Sequence, residues 1–164
     1  TKYKIKYLYT SENVLSSLHR GEIDKGLFAI HNSVGGVVEE SIQAMAKYKF
    51  SIINQFAIKI SHALMMRYDA DISGVTTIMS HPQVFAQCRD TLSKKYPHLK
   101  QISGKRELID HAMVAKHLSE SKLPKSMATM GSKVLAKLYS LKVIEDNLQD
   151  AKENYTSFLL VERV

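Results

Sequence analysis

The residues of this 164-residue chain that could do chemistry fall in three short strings. The first is Asn154-Tyr155-Thr156-Ser157-Phe158, near the C-terminus. Its threonine hydroxyl can donate a hydrogen bond or a proton to an oxygen that must carry charge as it leaves. Taken alone, Thr156 reads as an ordinary β-branched strand residue. The second is His31-Asn32-Ser33-Val34-Gly35-Gly36, a loop by composition ahead of a helical pattern. Free N–H groups at a helix start, with an amide and a hydroxyl, suit a carboxylate. Plain N-capping by Asn32 and Ser33 is the competing and compatible reading. The third is Ser80-His81-Pro82-Gln83, which offers the same geometry. His81 could face a carboxylate as a cation or stand in solvent in the first turn. The other histidines, His111 and His117 among them, lack metal-ligand spacing and read as solvated. Cys88, the only cysteine, has helical spacing with Val84 and Leu92 and reads as a small core residue rather than a nucleophile.

The elements that must hold these strings follow from hydrophobic periodicity. Tyr3–Tyr9 alternates lysine with Tyr, Ile and Leu and is expected to be a strand. Ser11 is expected to cap a helix with Val14, Leu15 and Leu18 on one stripe, ended by Gly21. Gly26–Ile30 reads as a strand, and Val38, Ile42 and Met45 mark a helix. Phe50–Met66 reads as two strands or one bent strand, and Gly74–Met79 as a buried strand. Ser80 is expected to cap a helix with Gln83 completing a capping box, running to about Tyr96 with Pro97 beyond it. Further strands are expected at Lys100–Ser103, Ser126–Met130, Lys142–Ile144 and Ser157–Val161. Helical stripes run through Leu108–Leu118 and through Val134, Leu135 and Leu138. The alternation argues for α/β layers with largely parallel sheets. With no linker-like segment, two lobes would share strands as a hinge, with crossings near Ile58–Leu64 and Asn147–Asp150.

Composition narrows the class. Hydrophobic residues make up 45% and charged residues 24%, ordinary for a globular chain. No apolar run reaches bilayer length, and the opening Thr-Lys-Tyr-Lys-Ile-Lys has no signal core, so no membrane partner and a cytoplasmic setting are expected. The net charge of +7 is spread along the chain with no aromatic-interleaved basic block. That disfavours nucleic acid, and an anionic metabolite fits the same charge as easily.

Several strings then occur in a familiar order. Ala29-Ile30-His31-Asn32-Ser33 followed by glycine resembles Pro-Ile-Glu-Asn-Ser of the prephenate dehydratases. Ile60-Ser61-His62-Ala63-Leu64 is similar to their Ile-x-His-x-Leu strand, and Ser80-His81-Pro82-Gln83 with Gln87-Cys88 to their Ser-His-Pro-Gln helix start. Asn147-Leu148-Gln149-Asp150 and Asn154-Tyr155-Thr156-Ser157-Phe158 resemble Asn-Ile-Gln-Asp and Asn-x-Thr-Arg-Phe. The resemblance implies a two-lobed α/β fold of the periplasmic-binding-protein-like (type II) kind, with mixed sheets and a cleft between lobes. The implied bounds are roughly 1–62 with 149–164 for one lobe and 63–148 for the other. It implies a lyase of phenylalanine biosynthesis that takes the dianion prephenate to phenylpyruvate, without metal or organic cofactor. Thr156 is then the catalytic donor, and Asn32, Ser33, Ser80, His81 and Ser157 are substrate-binding. A homodimer is the implied assembly. The chain departs from the pattern at three places: it starts at the family's second strand, His31 stands for Glu, and Ser157 stands for Arg. The family's phenylalanine-sensing domain is not matched, so no feedback within this chain is expected. The alternatives are a lyase that only decarboxylates and a catalytically altered or inactive domain that binds prephenate or a related aromatic metabolite.

Overall fold

A computed structural model describes residues 3–164. In chain order the first elements are α1 (Ser11–His19), β1 (Lys25–Asn32), β2 (Gly36–Val37), α2 (Glu39–Met45), β3 (Ser51–Lys59), β4 (Ala63–Arg67), β5 (Thr77–Met79), α3 (Pro82–Gln87) and α4 (Arg89–Lys95). They are followed by β6 (Lys100–Ile102), α5 (His111–Ser119), β7 (Met127–Gly131), α6 (Val134–Leu138), β8 (Leu141–Glu145) and β9 (Tyr155–Glu162). Short 3-10 turns occupy Ile72–Gly74 and Arg106–Ile109. The chain divides into two α/β units. The first comprises residues up to Lys59 together with Glu153–Val164, and the second is Ile60–Lys152.

In the first unit the sheet order is β2-β1-β9-β3, with every neighbouring pair antiparallel. One face is closed by α1 and α2. Leu15, Leu18 and Ala44 from the helices pack on Phe28, Leu159 and Val161 from the strands. Helix α1 starts one residue earlier than the serine suggests. Thr10 is its cap, its hydroxyl accepting from the Asn13 N–H, while the Ser11 hydroxyl turns inward to meet that of Ser41 at 2.7 Å. The helix stops at Arg20, and Gly21 then takes φ 73°, a left-handed conformation that glycine adopts without Cβ strain.

The second unit has sheet order β6-β5-β7-β4-β8. Strands β6, β5 and β7 are parallel, and β4 runs antiparallel to both β7 and β8. Strand β4 is buried on both faces and reads as a continuous apolar run for that reason. Leu64 and Met66 join one core with Ile78, Val84, Cys88 and Leu92. Ala63 and Met65 join the other with Val114, Leu118 and Leu135.

Several expectations are corrected. Tyr3–Tyr9 is not a strand: Tyr3, Ile5, Tyr7 and Tyr9 are at least 71% exposed, and alternation without a partner strand forms no ladder. Phe50–Met66 is two strands, one of the two readings expected, and these belong to different sheets. The presumed loop after residue 30 is mostly hairpin, since β1 continues to Asn32 and pairs with β2. The helix expected to reach Tyr96 breaks at Cys88 into α3 and α4. On α6 only Leu135 and Ala136 are buried; Val134 and Leu138 point outward. The sheets are not largely parallel, because the first unit is wholly antiparallel and the second mixed. Among the described residues no helix is long and apolar enough to cross a membrane.

Candidate functional site

In the first unit, Thr156 sits on β9 between two partners, opposite Asn32 of β1 and Ile58 of β3. The Asn32 amide nitrogen donates to Asn154 Oδ1 at 2.7 Å and to Thr156 Oγ1 at 2.9 Å. A longer contact to the Tyr155 carbonyl, 3.3 Å, shares the same two hydrogens. The Asn32 side-chain Oδ1 accepts from the Val34 and Gly35 N–H groups at 3.0 and 2.8 Å, closing the turn between β1 and β2. Asn32 is thus saturated from within the fold. Its consequence for Thr156 is directional. The hydroxyl oxygen already accepts one bond, and among the described residues nothing claims its hydrogen, which is left to donate outward.

Ser33 does not precede a helix, as expected, but occupies the hairpin turn. Its hydroxyl accepts from the Tyr155 N–H at 2.8 Å and donates to the Glu153 carbonyl at 3.2 Å, and its own N–H donates to the Tyr155 carbonyl. The N–H groups of Ser33, Val34 and Gly35 are therefore paired within the fold, and the loop is a clasp on the entry to β9. Ser157 is half-buried and lies directly opposite His31 in the β1–β9 ladder. The two departures at 31 and 157 are therefore one place in the structure.

In the second unit the cap of α3 is not Ser80. His81 Nδ1 accepts from the Gln83 N–H at 3.1 Å, and the fully buried Ser80 hydroxyl donates to the Met130 carbonyl at 2.7 Å, tying β5 to β7. A capping box with Gln83 does not form, because the residue facing the first turn is the histidine. Just ahead of β4, His62 is 7% exposed and its Nε2 lies 2.6 Å from Gln87 Oε1. Burial lowers its basicity, and the Gln87 bond opposes that shift. The His62 N–H donates to Oε1 of the fully buried Gln149 at 3.1 Å, and Gln149 Nε2 donates to Asn147 Oδ1 at 2.6 Å. The Asp150 carboxylate accepts from the Asp90 and Thr91 N–H groups, at 3.0 and 2.9 Å, and from the Thr91 hydroxyl at 2.7 Å, so it starts α4 from a distance.

Of the histidines expected in solvent, His19 and His98 are exposed, whereas His111 and His117 are half-buried, with side-chain exposures of 31% and 17%. Burial lowers the basicity of His111. Cys88 is fully buried, and burial pushes its thiol up to about 12. Among the described residues no group of His, Cys, Asp and Glu is arranged to hold a metal ion. A surface depression of the second unit, about 740 Å³, is lined by Lys133, Lys137 and Lys142 over an apolar floor and touches no candidate residue.

Sequence reasoning named Thr156 and Asn32 without bringing them together, and it missed Asn154, Gln149 and Gln87 as the side chains that hold these places. All three lie within the strings quoted above. The signal was present; what it lacked was a partner some 25 to 122 residues away.

A family model described as prephenate dehydratase matches residues 1–164. A prephenate dehydratase of Methanocaldococcus jannaschii is 30% identical over 160 residues, covering 97% of this chain and 54% of the relative. A crystal structure of a prephenate dehydratase from Arthrobacter aurescens in complex with L-Phe superposes with a TM-score of 0.75 at 27% identity, over 92% of this chain and 48% of that one. A quorum-quenching acylase, GqqA, gives the same TM-score at 22% identity, over 95% of this chain and 54% of that one, a likeness of fold alone. The chain spans about half the length, or less, of the curated relatives it matches.

Proposed function

This chain belongs to the prephenate dehydratase family, and from that premise we propose that it carries the lyase chemistry, converting prephenate to phenylpyruvate. In that reaction the ring carboxylate departs as carbon dioxide. Its bonding pair restores the aromatic ring, and the ring hydroxyl leaves. The leaving oxygen takes up negative charge, so a donor aimed at it lowers the barrier where an equal contact in the ground state would not.

The observation that carries this reading is the bond from Asn32 Nδ2 to Thr156 Oγ1. It fills an acceptor site of the hydroxyl and polarises it, and leaves the O–H as donor. Thr156 is the catalytic residue, and Asn32 and Asn154 are positioning residues. Ser33 holds the entry to β9. In the second unit His81 presents its Nε2–H, since Nδ1 is engaged as the cap, and supports binding of a substrate carboxylate. Ser80 assists by fixing β5 to β7. Ser157, opposite His31, stands in a position to influence substrate through the end of the strand. The chemistry as drawn needs no cofactor. The wider reading includes a cytoplasmic setting, which the lone free thiol suits, and a homodimer, which light scattering on the purified protein would test.

The test mixes purified protein with prephenate and follows both phenylpyruvate absorbance and carbon dioxide release. Thr156→Ala is expected to cut turnover by about 10²- to 10³-fold, the usual effect of losing one such donor. Phenylpyruvate formation unchanged in Thr156→Ala would remove the assignment. Carbon dioxide without phenylpyruvate would show decarboxylation that retains the hydroxyl.

A further inference from the structure

We propose that the second unit contains a titratable carboxylate subsite centred on His111, with the Nε2–H of His81 as its second donor, which grips a substrate carboxylate more tightly when His111 is protonated. The identity of the ligand rests on the dehydratase reading; the subsite itself rests on the following geometry.

Strands β5, β7 and β4 are neighbours in one sheet. Ser80 and His81 follow the end of β5, Gly131 is the end of β7, and His62 immediately precedes β4, whose Ala63 pairs with Gly131. These residues therefore gather at one edge of the sheet, outside the carboxyl ends of the parallel strands, where α/β sheets receive ligands. His111 opens α5 and reaches the same edge, because a Cβ built on Gly131 would overlap its Cδ2. Only glycine at 131 leaves room for the ring where it stands.

An independent observation indicates that something else belongs here. His62 is more than nine-tenths buried, and its Nδ1 has no hydrogen-bond partner. Its Nε2 faces Gln87 Oε1, an oxygen that only accepts, so Nε2 holds the hydrogen and Nδ1 is a bare lone pair. Buried polar atoms left without a partner are rare, and a bare lone pair takes a donor, so a water or a ligand hydroxyl beside the carboxylate, not the carboxylate itself, completes it.

The charge balance selects the ligand class. The titratable groups that act on His111 are Asp110 at its own helix start, His62 ahead of β4 and His81 ahead of α3. Asp110 Oδ1 is 3.9 Å from His111 Nδ1 and is already committed to the Ala112 N–H. Three imidazoles thus share one exposed and engaged carboxylate. Burial and the two neighbouring rings lower the basicity of His111 against the opposing pull of Asp110, and an incoming carboxylate would raise it and draw a proton onto the ring. Binding is then strongest below the free-state midpoint of His111 and weakens as pH rises through the midpoint of the complex.

The experiment follows the imidazole resonances of the protein by NMR across pH 5–9, with and without phenylpyruvate as the carboxylate probe. The His111 signal is assigned from His111→Gln. Its midpoint is expected to rise by about one pH unit with phenylpyruvate, matching an affinity about three- to sixfold weaker at pH 8 than at pH 6, about tenfold being the limit over the whole titration. In His111→Gln the affinity is expected to vary less than twofold over that range. An unshifted midpoint, or an equal pH dependence in the variant, overturns the proposal. If His111→Gln does not fold, the signal is assigned by through-bond NMR on isotope-labelled wild-type protein, and its midpoint decides. A shifted midpoint in a protein that converts no prephenate would uphold the subsite and retire the dehydratase reading. Turnover with an unshifted midpoint would do the reverse.

Discussion

Replacing Asn32 by aspartate exchanges the amide nitrogen for a second oxygen and adds a negative charge, at nearly unchanged size. The side-chain oxygen that closes the hairpin turn on Val34 and Gly35 is retained. What is lost is the donor: two hydrogens that went to Asn154 Oδ1 at 2.7 Å and Thr156 Oγ1 at 2.9 Å become a second acceptor. Thr156 then satisfies itself by turning its own hydrogen onto residue 32, which removes it from the leaving oxygen. Losing one donor to a developing negative charge costs roughly 3–4 kcal/mol of barrier, or about 10²- to 10³-fold in turnover. The effect on folding is smaller. Asn154 is 1% exposed, and leaving its oxygen unpaired costs about 1–3 kcal/mol, an amount that its own amide can recover by rotating to donate to the new carboxylate. Asn32→Ala lacks that recovery and loses the turn as well, so it is expected to melt at a lower temperature than Asn32→Asp. The assay pairs prephenate turnover with thermal melts for both variants. Turnover in Asn32→Asp within about threefold of wild type would refute the account of how Thr156 is oriented, whatever the melts show.

Because His31 and Ser157 are direct partners across β1 and β9, His31→Glu and Ser157→Arg should couple: in a double-mutant cycle of thermal stabilities the pair is expected to exceed the sum of the singles by about 0.2–1 kcal/mol, and strict additivity would contradict the register. Cys88, with its thiol pushed up to about 12 by burial, is expected to resist a thiol reagent at pH 8 until the chain is denatured; prompt labelling of the native protein would disprove its packing. At Asp150 burial works against the charged form, but the bonds from Thr91 and Asp90 outweigh it and the carboxyl lies below its ordinary range. Its contribution is therefore present above the unfolded-state value of about 4 and lost as pH falls through the lower folded value. Asp150→Ala should cost about 0.5–1 kcal/mol at neutral pH, toward the low end for a cap because the group is exposed, and the difference from wild type should vanish in acid melts.

What the sequence determined by itself was local. The helices α1, α2, α5 and the start at Pro82 follow from periodicity and punctuation within a turn or two, and the ordered strings around Asn32, His62, Ser80, Gln149 and Thr156 carried the family. Tertiary structure decided whatever needed a second segment. Tyr3–Tyr9 has the alternation of a strand and is none, because a ladder requires a partner that its own pattern cannot supply. Phe50–Met66 looks like one apolar run, yet its halves enter different sheets, a choice made by β9 and β7 far along the chain. Ser80 reads as a cap from its neighbours, but a buried carbonyl at Met130 claims its hydroxyl, and His81 takes the cap. The orientation of the Thr156 hydroxyl depends on an amide 124 positions away. A hydrogen bond has a direction only when both partners are in place, and it is the fold that brings such distant partners together.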